Sequence, residues 1–356
     1  MRKKRKIFLY VFGMILSVAL LASGCSQDKG TEQKKVVEED IQEIPIYLEA
    51  GWAAGDITSN GEMAFCLLSE EDPMTLDMRS AKLCAWNLYS GEMTVLYEYT
   101  NAEGFYLNEL RAASDEVFWV RTEGGQYTIE QMDLATGDIQ VIEQYNQNAY
   151  DVLLQCDGMY LTWYHLADEK ASIQGYEIET GTRFDISKEV CVNFPFVRAN
   201  VIDGVCAYVV EQQGEMAIQV YDLVERKQLQ EIPLDADTAL FHIAADREWC
   251  IFSPLRENVM DQRIFVYRYA DGKKTVINED ESMYVFSWSY NDGRLFLNER
   301  NDNVILAKTL DTGETEILSS PGEHLYVLGG ITCDGSYLVL DAADAATPVL
   351  TLIQIP

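Results

Sequence analysis

Met132-Asp133-Leu134-Ala135-Thr136-Gly137-Asp138 ends one apolar strand pattern and opens another, and the chain repeats it. Its copies are Trp86-Asn87-Leu88-Tyr89-Ser90-Gly91-Glu92, Tyr176-Glu177-Ile178-Glu179-Thr180-Gly181-Thr182, and Tyr221-Asp222-Leu223-Val224-Glu225-Arg226-Lys227, where Arg226 takes the glycine place. Two more follow, Tyr267-Arg268-Tyr269-Ala270-Asp271-Gly272-Lys273 and Lys308-Thr309-Leu310-Asp311-Thr312-Gly313-Glu314. The glycine place falls at 91, 137, 181, 226, 272 and 313, in steps of 46, 44, 45, 46 and 41. Such a turn commonly needs positive φ, which glycine supplies, and the Ser, Thr or Asp before it hydrogen-bonds locally. Short β-rich stretches follow, as in Thr94-Val95-Leu96 and Thr315-Glu316-Ile317-Leu318.

A second mark lies between these turns. Asn60-Gly61, Ser114-Asp115, Asp157-Gly158, Asp203-Gly204, Asp246-Arg247, Asp292-Gly293 and Asp334-Gly335 each precede an apolar strand, such as Val117-Phe118-Trp119-Val120. Asn-Gly and Asp-Gly between strand patterns are strong hairpin signals. A repeat of about 45 residues with four short strands is the size of a propeller blade. The fold class is therefore all-β: a β-propeller of seven four-stranded blades over 44–356. The last blade, from about His324, has room for three strands, and Ile44-Pro45-Ile46-Tyr47-Leu48 is expected to supply the fourth and close the ring.

Ahead of this domain, Arg2-Lys3-Lys4-Arg5-Lys6 precedes an apolar run from Ile7 to Ala22, ending in Leu21-Ala22-Ser23-Gly24-Cys25. That is the charged, apolar and small-residue order of an export signal. An uncleaved membrane anchor is the competing reading, but the run falls short of the roughly 17–25 residues of a spanning helix. Residues 1–24 read as signal peptide. Residues 25–43, polar and without an apolar face, read as a flexible tether.

Cys25 after small residues resembles the lipobox of bacterial lipoproteins, although Ala22 stands where that pattern most often has Leu. With the Asp-Leu-x-Thr-Gly hairpins, the chain resembles bacterial surface lipoproteins whose propellers are related to those of the low-density lipoprotein receptor. The resemblance implies a diacylglyceryl group on Cys25 and attachment to the outer face of the cell membrane, with a Gram-positive-type envelope favoured over a Gram-negative one. Two acyl chains suffice for stable anchoring.

The 356-residue chain carries 58 Asp and Glu against 27 Lys and Arg, and losing the five leading cations takes its net charge from −31 to −36. Such a surface repels nucleic acid, and no basic stripe offers a footprint for it. Cys66, Cys84, Cys156, Cys191, Cys206, Cys250 and Cys333 are scattered and lack CxxC or metal-ligand spacing, so no metal or cofactor is expected. Their simplest role is as small buried hydrophobes, the lesser alternative being that Cys66 and Cys84 fall on neighbouring strands and pair.

In a propeller the two turn types share one face, and connections after the second strand and between blades share the other. Those connections are expected to be longer and to carry function. The candidate ligand-binding residues there are Arg121, Trp163, Tyr164, His165, Arg256 and Arg300, beside the insertion at Glu70–Asp77. Aromatics with a polar handle beside Arg suit carbohydrate or peptide groups. The competing role for Trp119, Trp163, Trp249 and Trp288 is packing between blades. No catalytic motif appears, and His165, His242 and His324 are isolated. The expectation is a non-catalytic binding or scaffolding module with a protein, peptide or glycan ligand. The alternatives are a propeller lyase or hydrolase acting on extracellular polysaccharide and an accessory lipoprotein of an envelope complex.

Overall fold

The computed structural model describes residues 35–354 apart from 37–42, 48–51, 72–77, 101–105, 147–148, 168–169, 189–198, 213, 236–239, 255–262, 279–284, 300–303, 320–325, 332–336 and 343–348. Every regular element among the described residues is a β-strand. β1 (Lys35–Val36) is a short strand, and β2 (Glu43–Tyr47) is the first of the unit that runs from Val37 to Pro356.

The repeat becomes a series of antiparallel sheets. The first holds β3 (Trp52–Ser59), β4 (Met63–Glu71), β5 (Met78–Asn87) and β6 (Met93–Thr100), in that order. The second holds β7 (Tyr106–Ala112), β8 (Glu116–Glu123), β9 (Gln126–Asp133) and β10 (Ile139–Tyr145), and the third β11 (Ala149–Cys156), β12 (Tyr160–Ala167), β13 (Lys170–Glu177) and β14 (Thr182–Ser187). The fourth holds β15 (Asn200–Ile202), β16 (Val205–Gln212), β17 (Glu215–Asp222) and β18 (Lys227–Pro233). A fifth follows with β19 (Leu240–Ala245), β20 (Trp249–Pro254), β21 (Phe265–Arg268) and β22 (Lys274–Val276). β23 (Val285–Asn291), β24 (Arg294–Glu299), β25 (Val304–Thr309) and β26 (Thr315–Ser319) pair in the same way. In the last sheet β27 (Tyr326–Ile331), β28 (Tyr337–Ala342) and β29 (Val349–Gln354) are joined by β2, with Ile44 opposite Leu352. This is the arrangement of a β-propeller, with first strands of successive sheets side by side.

The turn residues behave as the repeat requires. Gly91, Gly137, Gly181, Gly272 and Gly313 all have φ between 64° and 74°, and Arg226 reaches 52° in the same place. One feature of the motif is not obvious from spacing alone. Asp133, four residues before the glycine, accepts the N–H groups of Ala135 and Thr136 on Oδ1, while the Gly137 N–H returns to its carbonyl at 2.8 Å. Asn87 and Asp222 play the same part in their turns. The bond from Thr136 in particular holds the Asp133 carboxyl below its ordinary range.

The inner turns come in two kinds. At Asn60, Asp157 and Asp246 a side-chain oxygen accepts the N–H groups two and three residues on. Asp203-Gly204 and Asp292-Gly293 have positive φ at both residues, as a two-residue type I′ hairpin demands.

Alternation along each strand directs one set of side chains to the preceding sheet and the other to the next. The core is therefore a series of layers between sheets. Leu83, Leu110, Val117 and Trp119 form one such layer with Phe65 and Leu67, and Phe118, Val120, Leu161 and Trp163 belong to the next. Cys66 and Cys84 do fall directly opposite one another on β4 and β5, both buried and neither in a disulfide. Burial pushes the Cys66 thiol well above its ordinary value, as expected of a cysteine used as a hydrophobe.

Polar clamps join neighbouring sheets near their inner strands. Bulges in β3 and β7 carry Asp56 and Glu109, and Glu109 has φ of 58°. Asp56 accepts the N–H of Leu110 at 3.0 Å, and Glu109 accepts that of Leu154 at 3.1 Å. Asp157 accepts the N–H of Gly204 at 2.6 Å, Arg247 donates to Asp222 at 2.5 Å, and Tyr290 donates to Asp246. Each is a charge-assisted bond across a sheet boundary.

Candidate functional site

The expected ligand-binding residues are divided by strand geometry. Arg121 lies on β8, and Trp163, Tyr164 and His165 lie on β12, within strands and not in loops. Trp163 is fully buried and, with His165, faces the second sheet, whereas Tyr164 is buried on the opposite side against the fourth. Arg256 and Arg300 lie outside the described residues, as do Cys25 and most of the insertion at 70–77. The connections after the second strand are also shorter than expected in three sheets. Gly124 and Gly125, both at positive φ, close β8 onto β9 in a tight hairpin, and Ala167 opposite Lys170 and Gln212 opposite Glu215 leave room for two residues each.

At the boundary of the second and third sheets the side chains form a hydrogen-bonded network that leaves one buried atom, His165 Nε2, without a partner. The Trp163 indole N–H donates to the Tyr145 hydroxyl at 2.7 Å, and that hydroxyl donates to Gln174 Oε1 at 3.3 Å. His165 stacks on Tyr145 with centroids 3.7 Å apart. Burial raises the Tyr145 phenol to about 12 and lowers the His165 imidazole, which keeps both neutral near pH 7.

One sheet earlier the same positions hold different chemistry. Counting back from the turn glycine, Trp119, Arg121 and Glu130 occupy the places of Trp163, His165 and Gln174, and counting on from the preceding turn glycine Tyr99 occupies that of Tyr145. Trp119 is directly opposite Glu130 on β8 and β9, as Trp163 is opposite Gln174 on β12 and β13. Arg121 donates from Nε to Glu130 Oε1 at 2.8 Å and from Nη1 to Glu123 Oε2 at 2.5 Å. The side chains grade from the surface inwards: Glu123 is 43% exposed, Arg121 23% and Glu130 7%. Tyr97 and Tyr99 of β6 complete the cluster, and the Tyr97 ring lies 5.9 Å from that of Trp119.

The electrostatics follow from this placement. Burial pulls the Arg121 guanidinium down, but its hydrogen bond to Glu130 and the charges of Glu130 and Glu123 outweigh it, so the cation is reinforced. Burial and then Glu130 raise the Tyr97 phenol, and burial and then Glu123 raise that of Tyr99. Two buried polar atoms here have no hydrogen-bond partner: Trp119 Nε1, a donor, and Glu130 Oε2, an acceptor. Glu130 is a residue that spacing did not single out. Its signal was present in the repeat, where a carboxylate replaces the amide of Gln174 and Gln219. Among the described residues no group of three His, Cys, Asp or Glu is arranged to hold a metal ion.

No protein-family model and no curated protein matches the sequence. Solved structures do resemble the fold. The β-propeller domain of the Trilobed protease from Pyrococcus furiosus matches with a TM-score of 0.60 at 12% identity, covering 86% of this chain and 94% of that one. The acylaminoacyl peptidase of Pyrococcus horikoshii matches with a TM-score of 0.59 at 12% identity over 85% of this chain, which spans about half (51%) of the peptidase. The oligogalacturonate lyase of Vibrio parahaemolyticus gives 0.56 at 10% identity, covering 91% of this chain and 98% of that one. At these identities the likeness is one of fold: the chain is a β-propeller structurally like those of the peptidases and the lyase.

Proposed function

We propose that the chain is a lipid-anchored lipoprotein on the outer face of the cell membrane, whose propeller is a non-catalytic binding module. In this reading the propeller has seven blades and is closed by β2. The pairing of β2 with β29 and the approach of β28 to β3 support closure. The observation that carries the assignment is the leader, five cations, an apolar run and Leu21-Ala22-Ser23-Gly24-Cys25. The sheets supply a scaffold whose layers are clamped to one another, on which a charged cluster of unequal chemistry is mounted at one boundary. Rigid scaffolds carrying local polar clusters suit recognition.

The test is metabolic labelling with a clickable fatty acid in a bacterial host, followed by determination of the mature N-terminus. The expected result is label on the wild-type chain, an N-terminus at Cys25, and no label on Cys25→Ala. A wild-type chain without label overturns the anchored reading. The similarity to a lyase fold motivates a second assay, turnover of extracellular polysaccharides by the purified chain, and appearance of unsaturated or shortened products would replace the binding module with an enzyme.

A further inference from the structure

The outer strands can be compared place by place. Two and four residues after the glycine place stand Met93 and Val95 on β6, Ile139 and Val141 on β10, Arg183 and Asp185 on β14, and Gln228 and Gln230 on β18. On β22 and β26 the first place holds Lys274 and Thr315, and the second, Val276 and Ile317, is half-buried. Only the first two sheets therefore expose aliphatic side chains at both places: Met93 is 47% exposed, Val95 41%, Ile139 39% and Val141 56%. Tyr89, in the turn ahead of β6, is 83% exposed. Of the eight large apolar side chains exposed among the described residues, five lie in these two sheets, so the apolar surface is concentrated there. Met93 and Val95 stand opposite Trp86 and Cys84, on the side of the first sheet turned away from the second.

The N-terminal segment joins the propeller at the same end of the sheets. Glu43 begins β2 opposite Ile353, and Tyr337, which begins β28, pairs with Gln354 beside it. In the other sheets the second strand begins, and the fourth begins, at the tight turns, so this is the tight-turn end, where Tyr89, Met93 and Ile139 also lie. β28 approaches β3, which brings the last sheet beside the first. We infer that the outer rim of the first and second sheets, from Tyr89 to Val141, is a docking surface for the lipid bilayer that holds the anchor. The inference rests on the lipoprotein reading and says which surface of the propeller meets the membrane. The 18 residues from Cys25 to Gln42 would span, as a coil, roughly 20–25 Å, so a bilayer holding the lipid is within reach of this rim. Four aliphatic side chains and a tyrosine suit the boundary of headgroups and acyl chains, where the ring is apolar and its hydroxyl stays in water. Charge plays the opposite part. Glu92 and Asp138 adjoin the stripe, both exposed, in a chain of net charge −31 before cleavage. Anionic headgroups and a second copy of the chain are both repelled by it, which leaves an apolar contact with uncharged lipid.

The test reconstitutes the full lipidated chain in phosphatidylcholine vesicles that contain a lipid with a photoreactive group in its acyl chain, and maps the crosslinks by peptide mass spectrometry. The segment after Cys25 is labelled wherever the chain is anchored and serves as the internal standard. Peptides bearing Met93, Val95, Ile139 and Val141 are expected to take about tenfold more label than those bearing Arg183, Asp185, Gln228 and Gln230, a ratio that one buried aliphatic side chain sustains. Met93→Gln, Val95→Gln, Ile139→Gln and Val141→Gln combined are expected to bring β6 and β10 down to the level of β14 and β18. The thermal midpoint should hold, because all four side chains are exposed. Met159→Gln and Val224→Gln, at exposed apolar residues of other sheets, are expected to leave the labelling unchanged. In vesicles containing phosphatidylglycerol the label on β6 and β10 is expected to rise with salt, as screening weakens the repulsion. The inference is overturned if only the segment after Cys25 is labelled, if all outer strands are labelled alike, if the label falls with salt, or if β6 and β10 crosslink to a second chain instead. Each of those results leaves the anchor standing. A chain without fatty acid on Cys25 removes the anchor and this surface together.

Discussion

Gly137 and Arg226 occupy equivalent places in their turns at φ of 74° and 52°. A Cβ on Gly137 would meet nothing within 4 Å, so the cost of Gly137→Ala is conformational alone. It is expected to lower stability by about 1 kcal/mol in urea unfolding. Arg226→Gly should gain less than Gly137→Ala loses, because Arg226 also lies over the Phe184 ring at 4.5 Å. A gain equal to the full conformational term would show that the ring contact contributes nothing. Asp222 gives a prediction in pH. The hydrogen bond from Arg247, foremost, holds its carboxyl below the ordinary value. A carboxyl depressed in the folded state adds stability above its unfolded pKa, about 4, that is lost as pH falls through the folded value. Urea midpoints of the wild type should therefore fall more steeply below about pH 4 than those of Asp222→Asn, and parallel curves would count against the pair. At this scale the glycines were legible in sequence because positive φ selects so strongly. Asn87 and Asp133 stood in the same motif, but that their side chains accept the turn N–H groups was not legible, since a carboxamide or carboxylate four residues before a glycine is common on any acidic surface.

Strands showed themselves through turns on either side, yet the direction of each side chain did not. Trp163, Tyr164 and His165 are consecutive in sequence and were expected on one face. The two-residue period of β12 sends Trp163 and His165 one way and Tyr164 the other. Glu130 escaped notice for a related reason: its meaning comes from facing Trp119 across a strand boundary, a pairing that only the register fixes. The same register makes a measurable pair of Trp163 and Tyr145. A double-mutant cycle with Trp163→Phe and Tyr145→Phe should return a coupling of about 0.5–1.5 kcal/mol, the worth of one buried neutral hydrogen bond. A coupling of zero would mean the indole N–H is equally well served by other groups.

For the whole molecule, the expected fourth strand at 44–48 is present as β2, which forms the outer edge of the last sheet. Pro45 is tolerated there because an edge strand does not need every N–H. Deleting residues 43–47 leaves β29 unpaired on that side and should drop the thermal midpoint by about 5 °C or more, given roughly 2–4 °C per kcal/mol in domains of 150–250 residues. An unchanged melt by circular dichroism would show that β2 does not stabilise the sheet. The pairing also has a mechanical meaning. β2 and β29 run antiparallel, with Glu43 opposite Ile353 and Tyr47 opposite Val349. Tension applied to the chain ahead of Glu43 pulls β2 along its own axis, so its bonds to β29 are strained together in shear and not peeled one at a time. A molecule tugged from its N-terminal side is thus held by the pairing of β2 with β29, whose bonds share the load.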